Sequence, residues 1–219
     1  MIKPASIQLR AFSAQHREWA SRILVASWGS TKVVSKGRLH DAVQLPGFVA
    51  IRENEPVGLA TYSLVESECE LVTLNSIQPA LGIGTALVTA VKEKAIRAGS
   101  KRLWVITTND NVAALRFYQQ RGFKLAALHK DALRSSRRIK PQIPHTGKDG
   151  IPIRDELELE IWLSAKQPPA IVDLHHAQIT IPNEAENAGR QFYCQVMGLL
   201  EIEKPDSLKN RGGILVAGR

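Results

Sequence analysis

Cysteine is nearly absent from this chain of 219 residues: only Cys69 and Cys194 occur. Two are too few for a disulfide framework, and no C-x-x-C spacing of the metal-binding kind is present. Two reduced, mostly buried thiols are the expectation. Long apolar runs are missing as well, since no stretch reaches the roughly 18 consecutive apolar residues that span a bilayer. The opening Met1-Ile2-Lys3-Pro4-Ala5-Ser6 lacks the apolar segment of a secretory signal. A cytoplasmic protein with no membrane partner is therefore expected. Internal repeats are also lacking. With 44% hydrophobic and 23% charged residues, the composition excludes a disordered, collagenous or repeat-array chain and fits an ordinary globular one.

What is present in excess is positive charge, 29 Lys and Arg against 21 Asp and Glu, for a formal net charge of +8. Such a balance suits an anionic partner without naming it. Ser164-Ala165-Lys166-Gln167-Pro168-Pro169-Ala170 is polar and proline-bearing, and it separates two segments of different character. This predicts a domain over residues 1–164, a linker over 165–172 and a shorter segment over 173–219.

Periodicity assigns the elements of the first segment. Residues 6–9 read as a strand and 14–28 as a helix, with Trp19, Ile23, Leu24 and Trp28 at helical spacing. Two β-prone runs, 48–52 and 56–64, flank the polar Glu53, Asn54 and Glu55 and read as a hairpin, which 70–77 extends. From Gly82 the period changes, and Ile83, Leu87, Val91 and Ala95 line one face of a helix that Gly99 stops. A strand over 103–108, a short helix around Ala113 to Tyr118 ended by Gly122, and strands over 123–128 and 157–163 complete the domain.

Chemistry concentrates at the strand-to-helix turn Gln78-Pro79-Ala80-Leu81-Gly82-Ile83-Gly84-Thr85. Two glycines at a helix start let the backbone approach a ligand, while unpaired N–H groups and the positive dipole end favour a phosphate. Glycines that only shape a tight turn explain the same pattern equally well. A second stretch, Asn111-Val112-Ala113-Ala114-Leu115-Arg116-Phe117-Tyr118 followed by Gln119-Gln120-Arg121-Gly122-Phe123, comes just after the next strand.

Together the two stretches resemble the GNAT superfamily of acyl-coenzyme A-dependent N-acetyltransferases over about residues 5–163. There the first is a Gln/Arg-x-x-Gly-x-Gly/Ala pyrophosphate loop, and the second an Asn-x-x-Ala-x-x-Phe/Leu-Tyr segment ending in Gly-Phe. The resemblance implies an α/β fold whose mixed, mostly antiparallel sheet is flanked by helices. It also implies acetyl-coenzyme A (acetyl-CoA) as acyl donor, a small-molecule or peptide amine as acceptor, and no metal. One departure stands out: Pro79 occupies the place of the family's Gln or Arg, and proline can donate no hydrogen bond. The amides of Leu81, Gly82, Ile83, Gly84 and Thr85, with the Thr85 hydroxyl, are left to hold the phosphates.

By the same resemblance Tyr118 is the acid that protonates the leaving thiolate, its ordinary pKa of about 10 keeping the proton available. Read without the family, Tyr118 is a buried aromatic paired with Phe117. The implied base is Glu70, on the strand leading into the glycine turn, with Glu66 and Glu68 nearby as alternatives and a surface role open to each. That strand is expected to splay from its neighbour near Ser76 and Ile77, freeing backbone groups for the pantetheine arm and the thioester carbonyl. Asn111 resembles the asparagine that contacts the cofactor arm, although an Asn before a helix is equally an N-cap. Residues 28–45 single out no acceptor.

Two further stretches remain. Lys130, Arg134, Arg137, Arg138 and Lys140 read as the solvated face of a helix, and no nucleic-acid motif accompanies them. His175-His176-Ala177-Gln178-Ile179-Thr180-Ile181-Pro182, a helix over 184–197 and Gly198-Leu199-Leu200-Glu201 resemble the opening of a vicinal-oxygen-chelate module of the glyoxalase type. Its first-strand metal ligand would be His176, but one incomplete βαβ-type unit lacks the partner ligands, so no metal site is expected. A metal-dependent activity assembled between chains, and an acyl-CoA sensor without turnover, are the rival readings. The apolar Ile179, Ile181, Phe192, Leu199 and Ile214 would need covering by the first domain or by a second copy, which makes a homodimer one expectation.

Overall fold

The computed structural model describes residues 7–78, 81–163, 185–196, 200, 201, 203, 216 and 217. The chain divides into two units, Met1–Ala165 and Lys166–Arg219. In the first, β1 (Gln8–Ala11) leads through a single 3-10 turn into α1 (Arg17–Trp28), which Gly29 closes. A separate hairpin follows, β2 (Lys32–Ser35) and β3 (Arg38–Asp41). Then come β4 (Gly47–Arg52), β5 (Glu55–Val65), β6 (Glu68–Ser76), α2 (Ile83–Arg97), β7 (Arg102–Thr108), α3 (Val112–Gln119), β8 (Lys124–His129), α4 (Ala132–Ile139) and β9 (Glu156–Trp162).

Seven strands form one sheet in the order β1-β4-β5-β6-β7-β9-β8. Only β6 and β7 run parallel, joined by the crossover helix α2, so the sheet is mixed and mostly antiparallel as expected. Alternation along the strands places two cores. Cys69, Leu71, Leu103, Val105 and Leu159 face Leu87, Val88 and Val91 of α2 together with Tyr118 and Phe123. On the opposite face, Val49, Ile51 and Leu59 pack against Ala20 and Leu24 of α1. Burial takes the Cys69 thiol up to about 12, so it is an inert core group.

The sheet face opposite α2 carries ion pairs where a core would be expected, because residues at alternate positions of β7 and β9 turn charge toward it. Arg102 pairs with Glu158 and Glu160, and with Glu68 at 3.3 Å. Glu158 also meets Lys36 Nζ at 3.0 Å and His129 Nε2 at 2.7 Å. Burial alone would raise its pKa, but His129, Lys36 and Arg102 together lower it to about 2.

One unassigned stretch gains structure and one expectation changes here. The stretch 28–45 contains a hairpin that the apolar pattern did not show. The basic run is not uniformly solvated: the Arg137 guanidinium donates to the carbonyls of Ile143, Pro144 and Ile153, and Lys140 is buried with Nζ donating to the Trp28 and Lys32 carbonyls at 3.1 and 2.8 Å. Long cationic side chains can bury their stems when carbonyls collect the charge.

In the second unit the helix expected over 184–197 consists of α5 (Glu186–Arg190) continued by a π-type turn, Gln191–Val196. Leu200–Glu201 pairs antiparallel with Val216–Ala217. His176, the linker over 165–172 and the apolar Ile179, Ile181, Leu199 and Ile214 lie outside the described residues.

Arg102→Met would leave Glu158 buried with less compensation, and its expected cost is about 3 kcal/mol at pH 7. The folded-state pKa of Glu158 lies below the ordinary 4.5, so the ionised carboxylate stabilises the fold above about 4.5 and this contribution fades as pH falls through 2. Chemical denaturation across that window should therefore show the wild-type advantage over Arg102→Met shrinking as the medium is acidified.

Candidate active site

The parallel ladder between β6 and β7 is short. Glu68, Cys69 and Glu70 pair with Arg102, Leu103 and Trp104, and there pairing stops although both strands run on to Ser76 and Thr108. A wedge therefore opens with its apex at Glu70 and Trp104. The register of β6 against β5 shifts between Thr61 and Tyr62, a local bend beside the apex. Beyond it, the Ile77 amide donates to the Val57 carbonyl at 3.0 Å. Because backbone groups alternate sides along a strand, Leu74 and Ser76 turn theirs away from β5 and into the wedge. Of the expected pair, Ser76 thus faces the opening while the Ile77 amide is already engaged. Leu74, missed in the sequence, is placed like Ser76.

At the open side of the wedge stands the start of α2. Gly82 precedes it with φ +76°, and its carbonyl accepts from the Ala86 amide at 2.9 Å. A side chain at that φ is strained even though the space beside it is open. Gly84 serves a different end: a Cβ there would lie 3.1 Å from the Phe117 ring. Both glycines therefore have a structural duty in this chain. The amides of Ile83, Gly84 and Thr85, in the first turn, have no acceptor within the helix. Ile83 buries its side chain, whereas Leu81, Gly82 and Thr85 are exposed. Pro79 lies outside the described residues, and the Gln78 side chain accepts from Arg52 at 2.9 Å.

Arg121 sits on the same corner. Its guanidinium donates to Thr85 Oγ1 at 2.9 and 2.7 Å and to the Phe117 carbonyl at 2.7 Å, and stacks 3.5 Å over the Phe117 ring. In the sequence it was only one residue of the Gly-Phe motif. Asn111 caps α3, its side-chain oxygen accepting from the Ala114 amide at 3.1 Å.

Tyr118 is buried between Phe117 and Phe123, each edge-on with centroids 5.3 Å away. Burial raises the pKa of its hydroxyl well above that of a free phenol. The proton stays on through the whole neutral range. Since Tyr118 packs with Cys69 and Leu71, it belongs to the α2 side of the sheet.

Glu70 lies between those two residues on the strand and so turns to the opposite side. It is 5% exposed, and burial raises its pKa, with Ser35, Arg38 and Lys36 pulling in the other direction. Against it comes His40 from β3, with Nε2 at 3.4 Å from the carboxylate. Glu66 heads the β5–β6 turn with φ +54°, and Glu68 is bound to Arg102. Glu70 is thus the one of the three carboxylates at the apex. Among the described residues no group of His, Cys, Asp and Glu is arranged to hold a metal ion.

Residues 13–123 match the family model described as Acetyltransferase (GNAT) family. The chain belongs to the GNAT family. A relative in Bacillus subtilis (strain 168), the uncharacterized protein YdhI, is 42% identical over 131 residues, 59% of this chain and 82% of its own length. Among solved structures, an IAA acetyltransferase from Bacillus cereus ATCC 14579 has a TM-score of 0.57 at 20% identity, over 72% of this chain and 100% of its own. A GNAT family acetyltransferase from Elizabethkingia anophelis with acetyl-CoA bound has a TM-score of 0.53 at 18% identity, over 72% and 98%. These likenesses establish an acetyltransferase with the GNAT fold over the first unit.

The two GNAT-motif glycines should respond differently to substitution. Gly82→Ala is expected to cost about 1–2 kcal/mol, through backbone conformation alone. Gly84→Ala should cost little if Phe117 yields a few tenths of an ångström, whereas Gly84→Val should cost about 1–3 kcal/mol by overpacking that ring. Equilibrium unfolding of the three variants checks the ranking, and a Gly84→Val as stable as Gly84→Ala would mean that Phe117 does not seat there.

Proposed function

We propose that the chain is an N-acetyltransferase that moves the acetyl group of acetyl-CoA to a primary amine. The observation that carries this reading is the wedge between β6 and β7, opening beside the free amides of α2. A pyrophosphate on the amides of Leu81, Gly82, Ile83, Gly84 and Thr85 gains their hydrogen bonds and the dipole end of a helix. Thr85 presents Arg121 at the same corner, which offsets the missing donor at Pro79. The pantetheine arm, an extended chain with two amides, suits the outward backbone groups of Leu74 and Ser76. Asn111 keeps its side-chain amino group for the arm once its oxygen has capped α3. The acetyl-CoA held by the relative from Elizabethkingia anophelis, which shares this fold, supports the same donor here.

The thioester then sits at the apex between two groups of opposite duty. An amine arrives mostly as ammonium, and Glu70 takes a proton from it so that the nitrogen lone pair can attack the carbonyl carbon. As the C–N bond forms and the C–S bond breaks, the thiolate takes its proton from Tyr118, on the other face. The nitrogen loses two protons in all. One is balanced by the proton on the new thiol, after Tyr118 is reprotonated, and one is released. Burial supports both assignments: it makes the Glu70 carboxylate a stronger base and keeps Tyr118 protonated.

Thiol release from acetyl-CoA over a panel of primary amines tests the reading, and binding of acetyl-CoA without turnover of any amine would leave a sensor instead. Tyr118→Phe should lower kcat by about ten- to thousandfold with little change in acetyl-CoA affinity. An unchanged kcat, with chemistry rate-limiting, removes Tyr118 as the acid.

Residues 1–164 are proposed as the complete catalytic domain and residues 173–219 as an accessory segment, because β1 to β9 and α1 to α4 all precede Ser164. Truncation after Ser164 should then leave a folded domain with full affinity for acetyl-CoA. Light scattering of the long and short chains shows whether the accessory segment pairs two copies. Aggregation of the short chain would place the boundary elsewhere.

A further inference from the structure

The β2–β3 hairpin brings two polar side chains, Ser35 and His40, to Glu70 at the apex, and neither completes its hydrogen bonding there. Ser35, His40 and Glu70 are 4%, 6% and 5% exposed. Ser35 Oγ lies beside the Glu70 carboxylate without a well-formed hydrogen bond, and His40 Nε2, also buried, stands 3.4 Å from Glu70 Oε2. Burying such groups unpaired costs stability that a ligand atom can restore. Their position is also held from several sides. The Lys36 amide at the hairpin tip and the Ser136 hydroxyl of α4 both donate to Glu156, each at 3.2 Å, and Lys140 Nζ donates to the Lys32 carbonyl. A buried cluster tied down from several elements and short of hydrogen-bond partners is arranged for a polar ligand atom that arrives from outside.

We propose that His40 is a positioning residue that makes Glu70 a two-proton base, so that the hairpin, through His40 and Ser35, prepares the apex for an acceptor delivered as an ammonium ion. This rests on the acetyl-transfer reading above. Glu70 removes the first proton from the ammonium and passes it to His40 Nε2, which restores the carboxylate. The nitrogen attacks the thioester carbon, and the resulting N–H bond gives its proton to the carboxylate as the amide forms. The thiolate is neutralised by Tyr118. Two protons then rest on the pair and one is missing from Tyr118; return to the resting state reprotonates Tyr118 and releases one proton to solvent, which balances ammonium plus thioester against amide plus thiol. The Ser35 hydroxyl, beside the carboxylate, is placed to accept from the N–H bonds of the incoming group.

The charges around the pair fit the scheme. On the hairpin, Arg38 and Lys36 face Glu70, and Arg38 also faces His40; Glu156 approaches from β9, and Cys69 is the neighbour on β6. Burial first, then Arg38, lowers the His40 pKa, so the imidazole rests neutral and able to accept.

Two measurements test the proposal. With an amine that the wild type acetylates, His40→Gln should lower kcat about 10- to 100-fold near pH 7 while the KM for acetyl-CoA is kept. The deficit should close as pH rises toward the amine's own pKa of about 10, where the acceptor arrives already deprotonated. A deficit that is the same at every pH, or none, overturns the role. Should His40→Gln fail to bind acetyl-CoA, the His40 imidazole of the folded wild type is titrated by NMR alongside Glu70→Gln. Loss of the carboxylate should move the His40 midpoint down by about half a unit or more, and an unmoved midpoint overturns the pairing. A wild type that binds acetyl-CoA but acetylates no amine overturns the acetyl-transfer reading instead, which the imidazole titration reports separately.

Discussion

Everything at the active site depends on β6 and β7 being parallel neighbours that part after three paired positions. A parallel pair needs a crossover, and the crossover here is α2, whose first turn is thereby set beside the gap it bridges. The same parting strips Leu74 and Ser76 of partners on one side, which a sheet interior would not tolerate without another source of hydrogen bonds. A linear cofactor with amides along its length and phosphates at one end meets both needs at once. On the proposed reading the fold supplies the donor site largely through backbone, and side chains are left free to manage protons.

Those side chains are separated by the sheet itself. Tyr118 sits among apolar rings on the α2 side, where burial keeps a phenol neutral. Glu70 sits on the charged side, where burial raises its pKa and Ser35, Arg38 and Lys36 counter that rise. In the proposed mechanism, one position of alternation along β6 therefore separates the acid from the base. The network of Arg102, Glu158, Lys36 and His129 has a place in this arrangement, since it anchors the tip of the β2–β3 hairpin beside the apex. Buried ion pairs contribute little net stability relative to apolar packing, so their use here is better understood as fixing geometry.

Much of the frame was legible in the sequence because it follows local rules. Ile83, Leu87, Val91 and Ala95 fall four apart and lie on the buried face of α2, and the polar turn at Glu53 and Asn54 marks the β4–β5 hairpin. The hairpin at residues 32–41 was not legible. Its strands are four residues each, and the turn forces Lys36, not a usual residue for positive φ, to +46° ahead of Gly37. Val33, Val34 and Leu39 around Gly37 were the only signal. His40 was hidden with it, since a lone histidine in a short run carries no periodic mark. The basic run misled for a related reason: carbonyls from distant segments collect around Arg137 and Lys140, and pairing of that kind has no trace in a charge pattern.

The motif glycines show how a family signature and a packing constraint can share residues. Gly84 is bare because Phe117 lies against it, and Phe117 in turn carries Arg121, which reaches Thr85 one position beyond Gly84. The chain of contacts closes on itself: glycine admits the ring, the ring supports the guanidinium, and the guanidinium fixes the hydroxyl at the start of α2. A cation is therefore held at the helix end where Pro79 can contribute no donor. The helix dipole alone does not explain why it stays there, since a positive charge at an N-terminus is unfavourable by a few tenths of a kcal/mol. An anion between them would reverse that sign. Arg121 is thus best placed when a phosphate is present, and the corner that looks electrostatically wrong in the free protein is the one arranged for the donor.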